Sequence, residues 1–219
     1  MNSTLSKEII TSISDGSHGD PFSVLGLHEI NIKNKTKLVL RTFRPEAASV
    51  SVVIGNKKYE LKRISDEGLF EHVFTRRKKK LQYQLEIKTH NNKTFTITDA
   101  YQFNSLITDF DLQLWGEGNH NQAYEFMGAH QKEIDGVKGT HFVVTAPSAT
   151  RVSVIGEFNS WDGRTHRMRK FHDQGIWEIF IPHVTKGDLY KFEVKSHKLD
   201  APVKKADPYA RLSELRPGT

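Results

Sequence analysis

The residues best suited to chemistry lie in one short stretch, Gly156-Glu157-Phe158-Asn159-Ser160-Trp161-Asp162-Gly163-Arg164. It follows the alternating run Arg151 to Ile155, where Val152 and Val154 share a face, as in a half-buried strand. The Asn, Asp and Gly that come next favour an ordered turn with positive φ, and a tryptophan sits in its middle. An indole on such a turn is a flat apolar platform with one donor at its rim. A sugar ring, with an apolar C–H face and a rim of hydroxyls, suits that platform. The same side chain would serve equally to pack against a neighbouring strand or domain, and the residues alone leave both readings open.

Around Trp161 the other roles follow from residue type. Phe158 is expected to anchor the loop from below, and Asn159 and Asp162 to brace the turn. Gly163, Arg164 and His166 complete the set expected to support the loop or a domain interface. Lys191 follows Tyr190 on a strand-like run and alternates outward, where it can donate to hydroxyls. Trp161, Lys191 and Asn159 are therefore the candidate sugar contacts. Trp177, on a strand after Gly175, is expected in the core.

Other chemistries find little support. There is no cysteine, which excludes a disulfide framework and Cys-ligated zinc. None of the eleven histidines forms a His-x-x-x-His pair on a helix, so no metal site is expected. No glycine-rich phosphate loop and no Ser/His/Asp set stands out, and no cofactor is expected. No stretch approaches the roughly 20 apolar residues of a membrane span. The N-terminus lacks a secretory apolar core, and a cytoplasmic protein is expected. The net charge of +6 is concentrated at Arg76-Arg77-Lys78-Lys79-Lys80. That block carries no interleaved aromatics and reads as a solvated hairpin tip rather than a nucleic-acid site.

The elements that position the loop form a repeat. Leu25-Gly26-Leu27-His28 answers to Met127-Gly128-Ala129-His130, and Pro45, Val50 and Val52 answer to Pro147, Val152 and Val154, all 102 positions on. After the Trp161 loop the offset is 107: Gly68-Leu69-Phe70-Glu71 matches Gly175-Ile176-Trp177-Glu178, and Tyr83 matches Tyr190. The jump of five means that the later copy carries about five extra residues in that one loop. The earlier copy has only Gly55-Asn56-Lys57-Lys58 there.

Strand-like runs recur throughout both copies: 37–43, 49–54, 58–64, 69–74, 82–89 and 94–98, then 140–146, 151–155, 166–171, 177–181 and 189–196. Turn residues separate them at the spacing of a sandwich. The predicted class is all-β, two tandem immunoglobulin-like β-sandwiches with a short connecting helix. The expected divisions are a helix or tail over 1–14, a first sandwich over 15–112, a connector over 113–134 and a second sandwich over 135–219. Asn119 is expected to cap a helix carrying Tyr124 and Met127.

Several motifs together resemble the N-terminal region of bacterial 1,4-α-glucan (glycogen) branching enzymes. They are Asp20-Pro21-Phe22-Ser23-Val24-Leu25-Gly26, Trp115-Gly116-Glu117-Gly118, Gly128-Ala129-His130, and the run from Gly156 through Phe158, Asn159, Trp161-Asp162-Gly163-Arg164, His166 and Met168. Gly175-x-Trp177-Glu178, Leu189-Tyr190-Lys191-Phe192-Glu193, Lys205 to Ala210 and Glu214 to Thr219 extend the likeness. The second half also resembles family 48 carbohydrate-binding modules. The resemblance implies α-glucan (glycogen or maltooligosaccharide) as ligand and a catalytic (β/α)8 barrel beyond Thr219 as partner. It also implies that the two catalytic carboxylates lie on that barrel, so this chain holds no catalytic residue. Free-standing modules of this class usually add a second stacking Trp after the Tyr-Lys-Phe strand. Ser196-His197-Lys198-Leu199-Asp200 offers none, so one platform is expected.

Overall fold

The computed structural model describes residues 3–32, 34–75, 82–198 and 200–214. The basic block Arg76 to Lys80 and the last residues from Leu215 lie outside them. The chain divides into two units, Met1–Gln102 and Phe103–Thr219. Each is an all-β sandwich of antiparallel strands with one short α-helix.

In the first unit the helix α1 spans Lys7–Ser14. The strands are β1 (Gly26–Ile32), β2 (Lys35–Phe43), β3 (Ala47–Ile54), β4 (Lys57–Glu60), β5 (Lys62–Arg63), β6 (Leu69–Phe74), β7 (Gln84–Thr89) and β8 (Thr94–Thr98). One sheet has the order β1-β2-β6-β5 and the other β4-β3-β7-β8. Alternation decides the core: Val50 and Val52 of β3 sit opposite Ile87 and Leu85 of β7. They pack with Leu38, Leu40 and Phe70 of the facing sheet. Ser6 caps α1, which lays Ile9, Ile10 and Ile13 with Leu25, Phe43 and Leu69 in a second cluster. Beneath it Arg41 and Glu71 form a buried pair at 2.9 Å, and the Thr4 amide donates to Glu71.

The second unit repeats this plan. Helix α2 (Asp109–Gly116) precedes β9 (Gly128–Ile134), β10 (Val137–Thr145), β11 (Ala149–Gly156), β12 (Arg169–Phe171), β13 (Ile176–Pro182), β14 (Tyr190–Ser196) and β15 (Val203–Lys205). Its sheets run β12-β13-β10-β9 and β11-β14-β15. A two-residue turn at Asp135 and Gly136, both with positive φ, joins β9 to β10. Val143 and Ile176, on the outer face of the first sheet, pack with Met127, Leu112 and Trp115 of the helical segment. Strand β13 is consequently buried on both faces.

Matched contacts show how deep the duplication goes. The Nε2 atoms of His28 and His130 lie 2.8 Å from the carbonyls of Leu25 and Met127 respectively. Tyr83 donates its hydroxyl to Asp99, and Tyr190 donates to Asp207. Gly68 and Gly175, both at positive φ, press on Arg44-Pro45 and on Pro147, where a Cβ would lie within 2.5–2.6 Å of its neighbour. The helices begin 102 positions apart, at Lys7 and Asp109, so the repeat includes them. Residues 113–134, expected as a connector, hold the end of α2 and all of β9.

One helix differs from expectation. It lies before Asn119 rather than after it, because Thr108 and Asp111 form a reciprocal capping box at Asp109. The Asn119 amide instead donates to the Leu114 carbonyl and closes that helix, and Tyr124 lies on a 3-10 turn, Ala123–Glu125.

Asp99 gives the first unit a sharp test. It is fully buried, 3.7 Å from Arg44 and 2.7 Å from the Tyr83 hydroxyl. Tyr83→Phe removes one of its partners and is expected to cost about 1.5–3 kcal/mol. Chemical unfolding followed by far-UV circular dichroism measures the loss.

Candidate functional site

The site is built where the two copies diverge. In the first unit β3 and β4 join through a tight turn at Gly55 and Asn56, with Ile54 opposite Lys57. In the second unit β11 ends at Gly156 and a 3-10 turn, Glu157–Asn159, begins. The chain then reverses through Ser160 (φ 54°) and Trp161 (φ 59°). It returns along β11, where Met168 N donates to Val152 O at 2.8 Å, as Leu61 N donates to Val50 O at 2.9 Å in the first unit. The five extra residues therefore fall between fixing points that the two units share.

A left-handed conformation at a bulky residue costs of order 1–2 kcal/mol, so Trp161 must be held there. Its amide donates to Gly156 O at 2.9 Å, and its indole Nε1 donates to Glu157 Oε1 at 3.1 Å. The Asn159 amide is the internal clamp. Its Oδ1 accepts from Gly156 N at 3.0 Å, and its Nδ2 reaches Val154 O at 2.8 Å and His166 Nδ1 at 2.9 Å. Asn159 is thus engaged with the loop itself. Phe158 lies under the turn, its ring 5.9 Å from that of His166.

Asp162 and Arg164 close the far side through a two-pronged ion pair, at 3.0 Å and 2.8 Å. Partial burial opposes the Asp162 charge, but the hydrogen bonds from Arg164 and the Arg164 and Arg151 charges outweigh it. Its pKa lies below the usual carboxylate value. Gly163 is buried against Glu193 of β14, and a Cβ there would lie 2.1 Å from Glu193 Oε1. Glu193 is in turn paired with Arg151.

Register settles which face the loop borders. Lys191 is opposite Ile155, and Glu193 is opposite Ser153. Residues two apart on a strand share a face, so Lys191 lies on the side where Gly163 meets Glu193. The Trp161 amide is bonded to Gly156, which pairs with Tyr190, so the root of the loop lies one register step from Lys191. Trp177 is in the core, with its indole donating to Ala146 O at 2.9 Å.

Three participants escaped the sequence reading: Glu157 as the holder of the indole, and Arg151 with Glu193 as the floor. The spacing of Gly156 and Gly163, which bracket the tryptophan, was the available signal for close backbone approach. Among the described residues no group of three or more His, Asp and Glu could hold a metal ion, and no helix is long and apolar enough to cross a membrane.

Comparisons with known proteins agree with this division of the chain. Residues 6–101 match the family "alpha-1,4-glucan branching enzyme GlgB, N-terminal domain". Residues 126–210 match carbohydrate-binding module 48, the isoamylase N-terminal domain. The chain is 45% identical over 219 residues to the 1,4-alpha-glucan branching enzyme GlgB of Trichodesmium erythraeum (strain IMS101), covering 99% of this chain and 28% of that protein. Among solved structures, a pullulanase from Anoxybacillus sp. LM18-11 is 15% identical over 85% of this chain and 26% of its own, with a TM-score of 0.32. The same enzyme complexed with maltotetraose gives 17%, 80%, 23% and 0.33. The first unit is thus similar to the N-terminal domain of α-1,4-glucan branching enzymes and the second to the family 48 carbohydrate-binding modules, and the chain spans 28% of the length of the branching enzyme it matches.

Proposed function

We propose that the second unit holds α-glucan chains on the Trp161 loop, and that the chain acts as the non-catalytic part of a cytoplasmic 1,4-α-glucan branching enzyme. The observation that carries the reading is an indole fixed in a left-handed turn by Glu157 and Gly156, with Lys191 one register step from the strand end that carries the turn. The platform stacks on the apolar face of a glucosyl ring, and Lys191 donates to its hydroxyls. Asn159, Phe158, Asp162, Gly163, Arg164 and His166 keep the platform in place. The loop carboxylates serve as braces: Asp162 is tied to Arg164, and Glu157 to the indole. Cleavage of an α-1,4 bond and transfer to a 6-hydroxyl require two carboxylates about 5 Å apart. By resemblance those belong to a catalytic barrel of the same protein, on which these sandwiches dock.

One platform with a few hydrogen bonds gives millimolar affinity, about 4 kcal/mol, raised on long chains by multivalency. The protein is expected to be retarded in a native gel containing glycogen. Trp161→Ala should weaken the apparent affinity about tenfold, roughly 1.4 kcal/mol. Wild-type migration that glycogen leaves unchanged would assign Trp161 to a domain interface instead.

A further inference from the structure

The second unit has a concavity of about 730 Å³ that the Trp161 loop does not touch. It is walled by α2, by the 119–126 segment and by β9. Its aromatic side comes from Phe110, 66% exposed, and Phe126. Asn119, Asn121 and Gln122 supply side-chain amides, which donate and accept at adjacent atoms as a vicinal diol does. His120 lies in the wall with its side chain 8% exposed. Its Nε2 is 3.0 Å from Asp111, while its Nδ1 is buried without a partner. That nitrogen is covered by protein, so a ligand hydroxyl meets it only when the His120 ring turns, and relief of a costly unsatisfied group is the reward for turning.

The charge in the wall selects the class of ligand. Asp111, Glu125 and Glu133 face one lysine, Lys132, so phosphates and carboxylates are disfavoured. The volume suits a small molecule. Aromatic surface, amides and carboxylates around a net-acidic concavity match an uncharged polyhydroxylated ring, whose hydroxyls can donate to the carboxylates.

We propose that this concavity is a second, separate glucan site, taking a short segment or chain end of the same α-glucan. The proposal rests on the reading of the second unit as a glucan-binding module. Topology keeps the two sites apart. The concavity lines β9, at one edge of the β12-β13-β10-β9 sheet, and the Trp161 loop leads into β12 at the other. Three strand spacings, roughly 15 Å, separate these edges. Two weak sites on one module raise the affinity for branched or long glucan without tightening either site.

The test is an NMR titration of the 15N-labelled chain with maltoheptaose. In the Trp161→Ala protein the side-chain amides of Asn121 and Gln122 and the ring nitrogens of His120 are expected to shift saturably. Phe110→Ala should weaken that response about tenfold and leave the Trp161 indole response of an otherwise wild-type chain intact. Shifts confined to Trp161 and Lys191 would overturn the second site and keep the first. Shifts at 119–122 that vanish with Trp161→Ala would overturn its independence. A titration in which neither region moves would overturn both. Because Phe110 is largely exposed, its truncation leaves the fold testable by the unchanged backbone spectrum.

Discussion

Glu178→Ala is expected to cost the second unit about 3–5 kcal/mol, the largest effect of any single truncation considered. Glu178 is 2% exposed on β13, and three partners converge on it. Its Oε2 lies 2.9 Å from His141 Nε2 and accepts from the Leu106 amide at 3.2 Å, while its Oε1 accepts from Arg169 at 2.9 Å. Truncation strands all three donors. Arg169, partly exposed, can turn to water, but His141 and the Leu106 amide cannot do so without opening the segment over the sheet. The sign of the pH dependence follows. Burial opposes the Glu178 charge, yet hydrogen bonds from His141 and Ser105 and the charges of His141 and Arg169 leave its pKa below the ordinary 4.5. A depressed folded pKa contributes stability above the unfolded value and loses it as pH falls through the folded one. Glu178's share of the second unit's acid-labile stability is therefore expected below pH 4.5 and should be absent in Glu178→Gln, which leaves the share of Asp162 in place. All three tryptophans lie in this unit, so fluorescence reports its unfolding alone.

The first unit should answer acid with the opposite sign at its own buried carboxylate. Burial raises the Asp99 pKa despite the Arg44 charge and the Tyr83 hydrogen bond. A raised folded pKa means that the charged form costs stability. That cost is relieved as pH falls from the folded value towards the ordinary 3.8. Comparing tryptophan fluorescence with whole-chain circular dichroism during acid titration separates the two units.

How much of this was legible depended on which residues face a core. Strand β3 alternates cleanly, and the 102-residue offset exposed its kinship with β11, whose Val152 and Val154 keep the alternation although Ser153 and Ile155 on the other face are buried as well. Strand β1, Gly-Leu-His-Glu-Ile-Asn-Ile, is an edge strand whose His, Glu and Asn mask its period, and β9 and β15 were missed for the same reason. The position of α2 turned on a capping box whose Thr108 and Asp111 precede a weakly amphipathic stretch, and apolar periodicity gives little sign of it. At the site, residue types named the platform and its neighbours. They did not show that Asn159 would spend its whole amide on the loop, because that depends on Val154 and His166 arriving at the same point. Nor is the His120 concavity visible in sequence, since it joins α2 to a strand some twenty residues away.

Gly156→Ile is expected to abolish the glucan platform while sparing the sandwich. Its φ of −175° suits any residue, so the glycine is required by space rather than by conformation. A Cβ at Gly156 would lie 2.4 Å from the Leu189 carbonyl oxygen and 2.5 Å from the Phe158 ring. The Phe158 ring must leave and the turn above it with it, while the Leu189 carbonyl, backbone just before β14, must give locally at that end of the strand pair. The corresponding residue of the first unit is Ile54, partly buried against the core and with no loop folded over it. The scaffold thus accepts the larger side chain wherever the insertion is absent. Overpacking should cost about 1–3 kcal/mol, leaving a folded unit with Trp177 still buried. Glycogen retardation should fall at least to the level of Trp161→Ala. The mirror substitution, Ile54→Gly, should lower stability without changing retardation. Wild-type retardation of a folded Gly156→Ile protein would mean that the geometry of this loop is not what holds the glucan.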